Sequence, residues 1–409
     1  MRNGTVISGN DETTKKTMGN VLDRVTDQLI EVKIFRQIGF KAMLAWHYLI
    51  MFSPIFVGPV EAEFAPSFFN RQLTLYISIA VTFAVLFLFS EILSKKDASS
   101  SSLVFIAVSG CAATVASMLP MFFPDSLLIP ITVLLGVCKA TLMYLWIRYY
   151  QIVVSHSLIR NLAIDMIGGS LIAFLICILQ PPFNNIAVIF LPVAATVSLI
   201  ICRKTVKGMA PEQLPDRPMQ QAPTRGWWKA RRFLTMILPT IVFAFVFAFL
   251  QGGYASMSTI LLMATDPSIL LAISVCGLIL MAMPKDVGAS LGVDTIHRMS
   301  VLFFVFGILG LPLLDDTIVI FAEMSVLIGF NLFDFGAMII GISIVQRLRV
   351  EKSFSAVSGR MFAYFSLACG LFVGYVVMTY VDDQMLFGYI LSGVAVLLLV
   401  VTVVFPLRR

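Results

Sequence analysis

Charged residues are scarce in this chain of 409 residues, in which Asp, Glu, Lys and Arg together account for 13%. Soluble domains usually carry about a quarter charged residues. Hydrophobic residues make up 59% of the sequence, and the mean hydropathy is +0.93. This composition excludes an ordinary soluble enzyme and predicts a polytopic membrane protein, in which lipid supplies much of the environment.

Cysteine and histidine are also scarce, with six and three residues. The cysteines form no CxxC pair and no metal-type spacing, so the sequence predicts neither a disulfide framework nor a zinc site. Also missing are a P-loop, a GxSxG elbow, an HExxH motif and a Rossmann glycine run after a strand. We therefore expect no enzyme activity, no ATP-driven transport, no metal and no cofactor.

Apolar segments are the dominant feature that is present. A spanning helix needs about 20 mostly apolar residues. Twelve segments meet this requirement: 40–59, 73–93, 102–123, 126–147, 162–180, 184–202, 233–252, 268–284, 299–314, 317–343, 361–381 and 384–406. The sequence thus predicts an all-α membrane protein with twelve transmembrane helices in two pseudo-symmetric six-helix bundles.

Polar stretches divide the chain around these spans. Residues 1–37 are predicted to be a cytoplasmic segment with an interfacial amphipathic helix, because apolar residues recur there at helical spacing. The alternative is that this helix is a simple extension of the first span. Residues 38–202 form the first bundle and 233–409 the second. The proline-rich and charged residues 203–232 read as a cytoplasmic linker.

The distribution of positive charge predicts the orientation. Of the 29 Lys and Arg residues, this count of spans puts only Arg71 in an outer loop and only Lys139 well inside a span, away from its ends. The positive-inside rule then predicts both termini in the cytoplasm and the bundles in the plasma (inner) membrane. The basic charge is thus an orientation signal, and no nucleic-acid partner is expected.

Two six-helix bundles with a cytoplasmic linker resemble the major facilitator superfamily over nearly the whole chain. The resemblance implies a central cavity lined by the first, fourth, seventh and tenth helices. The family's Gly-x-x-x-Asp-Arg-x-Gly-Arg loop after the second helix is replaced here by "SEILSKKDASSSS", residues 90–102. In the family this loop is associated with the gating motion between the halves.

A narrower resemblance involves "IGFKAMLAWHYLIMFSP" (38–54) and "NLFDFGAMIIGISI" (331–344). These stretches look like the twelve-span sensory domains of LuxR-type regulators from anaerobic actinobacteria. Those proteins continue into a DNA-binding helix-turn-helix, which this sequence, ending at Arg409, does not contain. The resemblance implies a membrane-embedded ligand sensor, without transport, that is read by a cytoplasmic protein partner.

Ionisable residues inside spans mark candidate sites, because each costs about 2.5–3.5 kcal/mol to insert at mid-bilayer. At about 1.5 Å per helical residue, Lys139 and Asp334 lie at similar depths on corresponding helices of the two halves. We hypothesise that they face each other across the cavity. The alternatives are an ion pair between Lys139 and Asp165 and a lone lysine facing the cavity.

Further polar residues extend this candidate site. Glu323 and Asn331 share a helical face with Asp334, and Glu323 and Asp334 are the candidate proton carriers. Because a tight basic partner favours the charged form of a carboxylate, Glu323 is the better candidate. Gln251 lies beside two glycines, which indicate either a broken helix at the cavity or the helix end. The predicted substrate-binding residues are Lys139, Asp334, Asn331, Trp46, His47, Trp146 and Gln251.

These observations together predict a small-molecule secondary transporter that works by alternating access around a central cavity. Its partners would be the lipid bilayer and a small anionic or amphipathic ligand. The alternative is the ligand sensor described above.

Overall fold

The fold is described from a computed structural model. The described residues are 34–53, 55, 64–89, 101–122, 127–152, 158–208, 231–256, 268–282, 289–311, 316–348, 352–381 and 384–404. The predicted interfacial helix before residue 34 and most of the predicted linker lie outside these ranges.

Twelve helices make up nearly all of the described chain, which contains no strand. They are α1 (34–52), α2 (Phe64–Leu88), α3 (Ser101–Phe122), α4 (Leu128–Ile152), α5 (Leu158–Ile178), α6 (Phe183–Gly208), α7 (Arg231–Ser256), α8 (Ser268–Ala282), α9 (Ala289–Gly310), α10 (Asp316–Leu348), α11 (Lys352–Tyr380) and α12 (Gln384–Val404). The predicted all-α class and the number of helices are therefore confirmed.

Helices suit this sequence because every backbone polar group in lipid must be satisfied internally. Within the described ranges, eight helices are long and apolar enough to cross a membrane, and three more apolar segments are shorter. Many side-chain hydroxyl groups are also hydrogen-bonded within the protein. Thr141 and Thr196, for example, donate to the carbonyl four residues earlier, at 2.8 Å and 2.7 Å. Large apolar side chains such as Phe306 and Phe365 stay exposed on the outer surface, as lipid contact requires.

The ends of two helices correct the predicted charge distribution. α2 begins at Phe64 and α11 at Lys352, earlier than the predicted spans at 73 and 361. Arg71 and Arg360 therefore lie inside helices, and both are buried. The predictions that Arg71 belongs to an outer loop and that Lys139 is the only basic residue in a span are wrong. A scan for apolar runs stops at such residues, although a helix that buries them continues.

The glycines beside Gln251 neither break nor end α7, which runs without interruption to Ser256. Both predictions for this stretch are wrong. The absence of a side chain at Gly252 instead allows close packing, because a Cβ there would overlap the backbone carbonyl of Leu371 on α11.

Helix contacts reveal the symmetry of the two halves, α1–α6 and α7–α12. Within the first half α3 packs on α4 and α6, and within the second α9 packs on α10 and α12. Between the halves α2 packs on α11 and α5 on α8. If six is added to every helix number in the first half and subtracted from every number in the second, each of these contacts becomes another contact of the set. The halves are therefore pseudo-symmetric, and the junction between them is where α2, α4, α7, α10 and α11 meet.

Candidate functional site

Three basic side chains lie buried at the junction of the two halves: Arg71 on α2, Lys139 on α4 and Arg360 on α11. Their exposed fractions are 1%, 1% and 5%. A buried charge is very unfavourable unless it is paired and hydrogen-bonded. The partners of these three cations therefore define what the junction can bind.

Arg360 is paired with Asp334 of α10. Its Nη1 contacts the Asp334 carboxylate, and its Nη2 donates to the Asp334 backbone carbonyl at 3.3 Å. A guanidinium is well suited to such two-point contact. The sequence led us to place Asp334 opposite Lys139. Its carboxylate is instead paired with Arg360, which belongs to the same half.

Lys139 is joined to the second half by an aromatic ring and not by a carboxylate. Its Nζ lies 5.4 Å from the centre of the Tyr364 ring, within the range of a cation–π contact. Among the described residues Nζ has no hydrogen-bond partner. Asp334 and Arg71 are near enough to act on it electrostatically. The junction therefore brings Lys139 close to Asp334 without forming a direct ion pair.

Asp165 is not the partner of Lys139 either. Its Oδ2 accepts a hydrogen bond of 2.8 Å from the Tyr150 hydroxyl of α4. The basic residues that act on it electrostatically are Lys41 and Arg36 of α1. This cluster lies within the first half, apart from the junction.

Arg71 belongs to a cluster of polar residues near the end of α1. Its Nη2 donates to the Ile50 carbonyl at 3.2 Å, while Nε and Nη1 have no hydrogen-bond partner in the described part of the chain. The next residue, Gln72, donates to the Tyr76 hydroxyl at 2.9 Å, which donates to Gln251 Oε1 at 2.7 Å. Because Gln251 is on α7, this relay connects the two halves.

A small cavity lies between α1, α7, α10 and α11, with room for about one water molecule. Its lining includes His47, Asp334 and Tyr364, with apolar residues around them. His47 Nδ1 has no hydrogen-bond partner among the described residues, and Lys139 and Arg360 are its charged neighbours. The cavity therefore touches the Asp334 side of the Arg360–Asp334 pair, and the ring of Tyr364, which also lines it, lies beside Lys139.

Other predicted site residues lie away from this cavity. Trp46 Nε1 donates to Ser117 Oγ at 2.9 Å, and Trp146 packs 5.5 Å from the ring of Phe40. Asn331 donates to the carbonyl of Leu327 in its own helix at 2.9 Å.

Glu323 is 7% exposed and acts electrostatically on Tyr254. Of the predicted substrate-binding residues, the structure thus brings together His47, Asp334, Lys139 and Gln251 at the junction.

Sequence reasoning missed Arg71, Arg360, Tyr76 and Tyr364. The first two carried a usable signal, because each lies within about ten residues of an apolar run that a longer helix would include. The aromatic residues carried none, since 12% of the chain is aromatic. The described residues contain no group of three or more His, Cys, Asp or Glu side chains that could hold a metal ion.

Searches by sequence find no matching family model and no matching curated protein. Solved structures do match. The human organic anion transporter MFSD10 (TETRAN) aligns with a TM-score of 0.57 and 12% identity, covering 91% of this chain and 98% of that chain. The nucleoside transporter NupG aligns with a TM-score of 0.55 and 10% identity, covering 91% and 98%.

A bacterial homologue of the iron transporter ferroportin, in its outward-facing state, aligns with a TM-score of 0.53 and 11% identity, covering 92% and 98%. At such identities the likeness concerns the fold. The chain therefore shares the fold of these membrane transporters, and the twelve helices of its described residues form two pseudo-symmetric bundles.

Proposed function

We propose that this protein is a small-molecule secondary transporter whose two halves give alternating access to the junction site. The observation that carries the proposal is the cluster formed by three buried cations, Arg71, Lys139 and Arg360, and the partly buried Asp334. Charged residues within a membrane are rare and unfavourable, and they mark substrate or ion pathways. Their position between two symmetric bundles matches the place where such transporters bind substrate.

The fold likeness supports a transporter in general but not a particular substrate, because the matched structures are named for an organic anion, nucleosides and iron. The small volume of the cavity fits a closed arrangement, from which the halves would rock to open it. The protein would lie in the plasma membrane with both termini on the cytoplasmic side, the orientation that the distribution of positive charge predicts.

For coupling to protons, we propose Glu323 as the carrier and Asp334 as the second candidate. Asp334 is engaged by Arg360, so a proton would have to displace that contact before it could bind. Glu323 is buried on the same helix. It is therefore the residue to replace first in any test of coupling.

Alternating access can be tested without knowing the substrate. His47 would be replaced by Cys in a variant whose six native cysteines are removed. Labelling by a membrane-impermeant maleimide would be measured in right-side-out and inside-out vesicles. We expect labelling from both sides, because the cavity that His47 lines would open to each in turn.

The matched control is Val188→Cys, which is buried in the packing of the first half and should stay unlabelled. Labelling of position 47 from one side only would contradict the proposal. It would favour the ligand sensor indicated by the LuxR-type resemblance, which needs a binding site but no passage across the membrane.

A further inference from the structure

The junction has more positive than negative charge. Within the part of the chain that the structure describes, Arg71, Lys139 and Arg360 have one carboxylate near them, that of Asp334, and it is paired with Arg360. The charged groups that act on Lys139 are Asp334, Arg360 and Arg71. Among the described residues, three cations against one carboxylate leave an excess of two positive charges.

The two excess cations also have unused hydrogen-bond donors. Among the residues described, Lys139 Nζ has no hydrogen-bond partner, and Arg71 donates only through Nη2, with no partner for Nε or Nη1. Both side chains are 1% exposed, so water does not replace the missing partners by contact with the surface. A buried cation without partners is unfavourable, and a bound anion removes that penalty by supplying both charge and acceptors.

Position separates these two cations from Arg360. They come from α2 and α4 of the first half, whereas Arg360 and its carboxylate come from the second. The second half offers neutral groups to a ligand in this region, namely the Tyr364 ring beside Lys139 and the Gln251 amide, whose Nε2 is also unpartnered among the described residues. A ligand would therefore receive its charge recognition from the first half and uncharged contacts from the second.

We propose that the junction site takes a small organic dianion, with Lys139 and Arg71 as its two anionic contacts. This inference rests on the proposed function, because it names the substrate class of the same site. Two carboxylates on one small molecule, or one doubly charged phosphate ester, supply the required chemistry. Charge-assisted hydrogen bonds from both cations would then replace the partners that they lack.

Binding can be measured as the shift in melting temperature of the full-length purified protein in detergent at constant ionic strength. The ligands form a matched series of succinate as dianion, monomethyl succinate as monoanion and succinamide as neutral analogue. Glycerol 3-phosphate, tested beside glycerol, separates a phosphate ester from a dicarboxylate. We expect at least one dianion to bind about tenfold or more tightly than its less charged analogue.

Variants locate that binding. Lys139→Gln and Arg71→Gln should each weaken dianion binding about tenfold to a hundredfold, as expected for the loss of one charged hydrogen-bonding partner. Lys139→Arg and Arg71→Lys retain the charge and should keep most of the affinity. The control is Arg36→Gln, which removes another buried arginine of the first half, beside Tyr150, and should leave the affinity unchanged.

The inference is overturned if monoanions bind as tightly as dianions, or if neither glutamine variant weakens binding. If a glutamine variant does not fold, the charge-retaining variant at the same position tests the same contact through its affinity. The vesicle labelling at position 47 uses no ligand. If position 47 is labelled from both sides but the protein does not bind dianions more tightly than their analogues, the substrate class is refuted and alternating access is not. If position 47 is labelled from one side only, alternating access is refuted.

Discussion

At the scale of single residues, Asp165 is a buried carboxyl group that depends on one hydrogen bond from a side chain. Its side chain has no exposed surface, and the Tyr150 hydroxyl satisfies only one of its two carboxylate oxygens. Oδ1 has no hydrogen-bond partner among the described residues. The bond to Tyr150 is therefore important, because a buried acceptor without any partner keeps its full desolvation penalty.

We predict that Tyr150→Phe lowers the free energy of unfolding by about 1–3 kcal/mol, since it leaves the Asp165 carboxylate without this donor. The measurement is a denaturant titration of the purified protein in detergent. The matched control is Tyr48→Phe, because Tyr48 is equally buried and its hydroxyl has no hydrogen-bond partner in the described chain. Equal losses in both variants would show that removal of a buried hydroxyl as such, and not the bond to Asp165, explains the effect.

The sequence revealed individual site residues only in part. Lys139 and Asp334 could be found because a charge within an apolar run is unusual whatever the fold. Which residues they contact could not be found, since Arg360 comes near Asp334 only through the packing of α11 on α10. Depth along a helix was predictable from residue spacing, but the direction in which each side chain points depends on tertiary contacts.

At the scale of helices, the contact between α7 and α11 depends on small residues. A Cβ at Gly370 would overlap the backbone carbonyl of Phe245, and one at Gly374 that of Phe249. Glycines four residues apart on one face let two helices approach closely, which strengthens van der Waals packing in lipid. Because the obstacles are backbone atoms, they cannot move aside as a flexible side chain could.

We predict that Gly374→Ala destabilises the protein, because overpacking typically costs about 1–3 kcal/mol. The gain in helix propensity, about 1 kcal/mol, offsets this only in part. The control is Gly393→Ala on α12, where nothing lies within 4 Å of the added Cβ. Melting temperatures in detergent should fall for the first variant and stay level or rise for the second. A fall of equal size in both would refute the packing argument.

Helix number and type were predictable from the sequence because lipid permits few alternatives to a helix for a long apolar run. The ends were not, as α2 and α11 show by including Arg71 and Arg360. Each of these two arginines lies on the face of its helix that packs against other helices. Hydropathy measures composition along the chain and does not register which side of a helix is sheltered.

At the scale of the whole molecule, the α2–α11 contact is a candidate gate between the halves. The rings of Phe69 and Tyr375 stack there with centroids 4.0 Å apart. Both residues lie toward the helix ends that the charge pattern predicts to be outside. If the halves rock, this stack must separate whenever the cavity opens on that side, so a bridge at this place should block one direction of access only.

We predict that Phe69→His combined with Tyr375→His creates such a reversible bridge, because two imidazoles at this separation can share a zinc ion. In the His47→Cys background, Zn²⁺ should reduce maleimide labelling from the predicted outer side about tenfold or more, while labelling from the inner side persists. A chelator should restore the outer labelling. Each single histidine variant is the control and should not respond to Zn²⁺. Unchanged outer labelling in the zinc-bound double variant would mean that this contact does not separate during access, and the rocking of the two halves would then need another hinge.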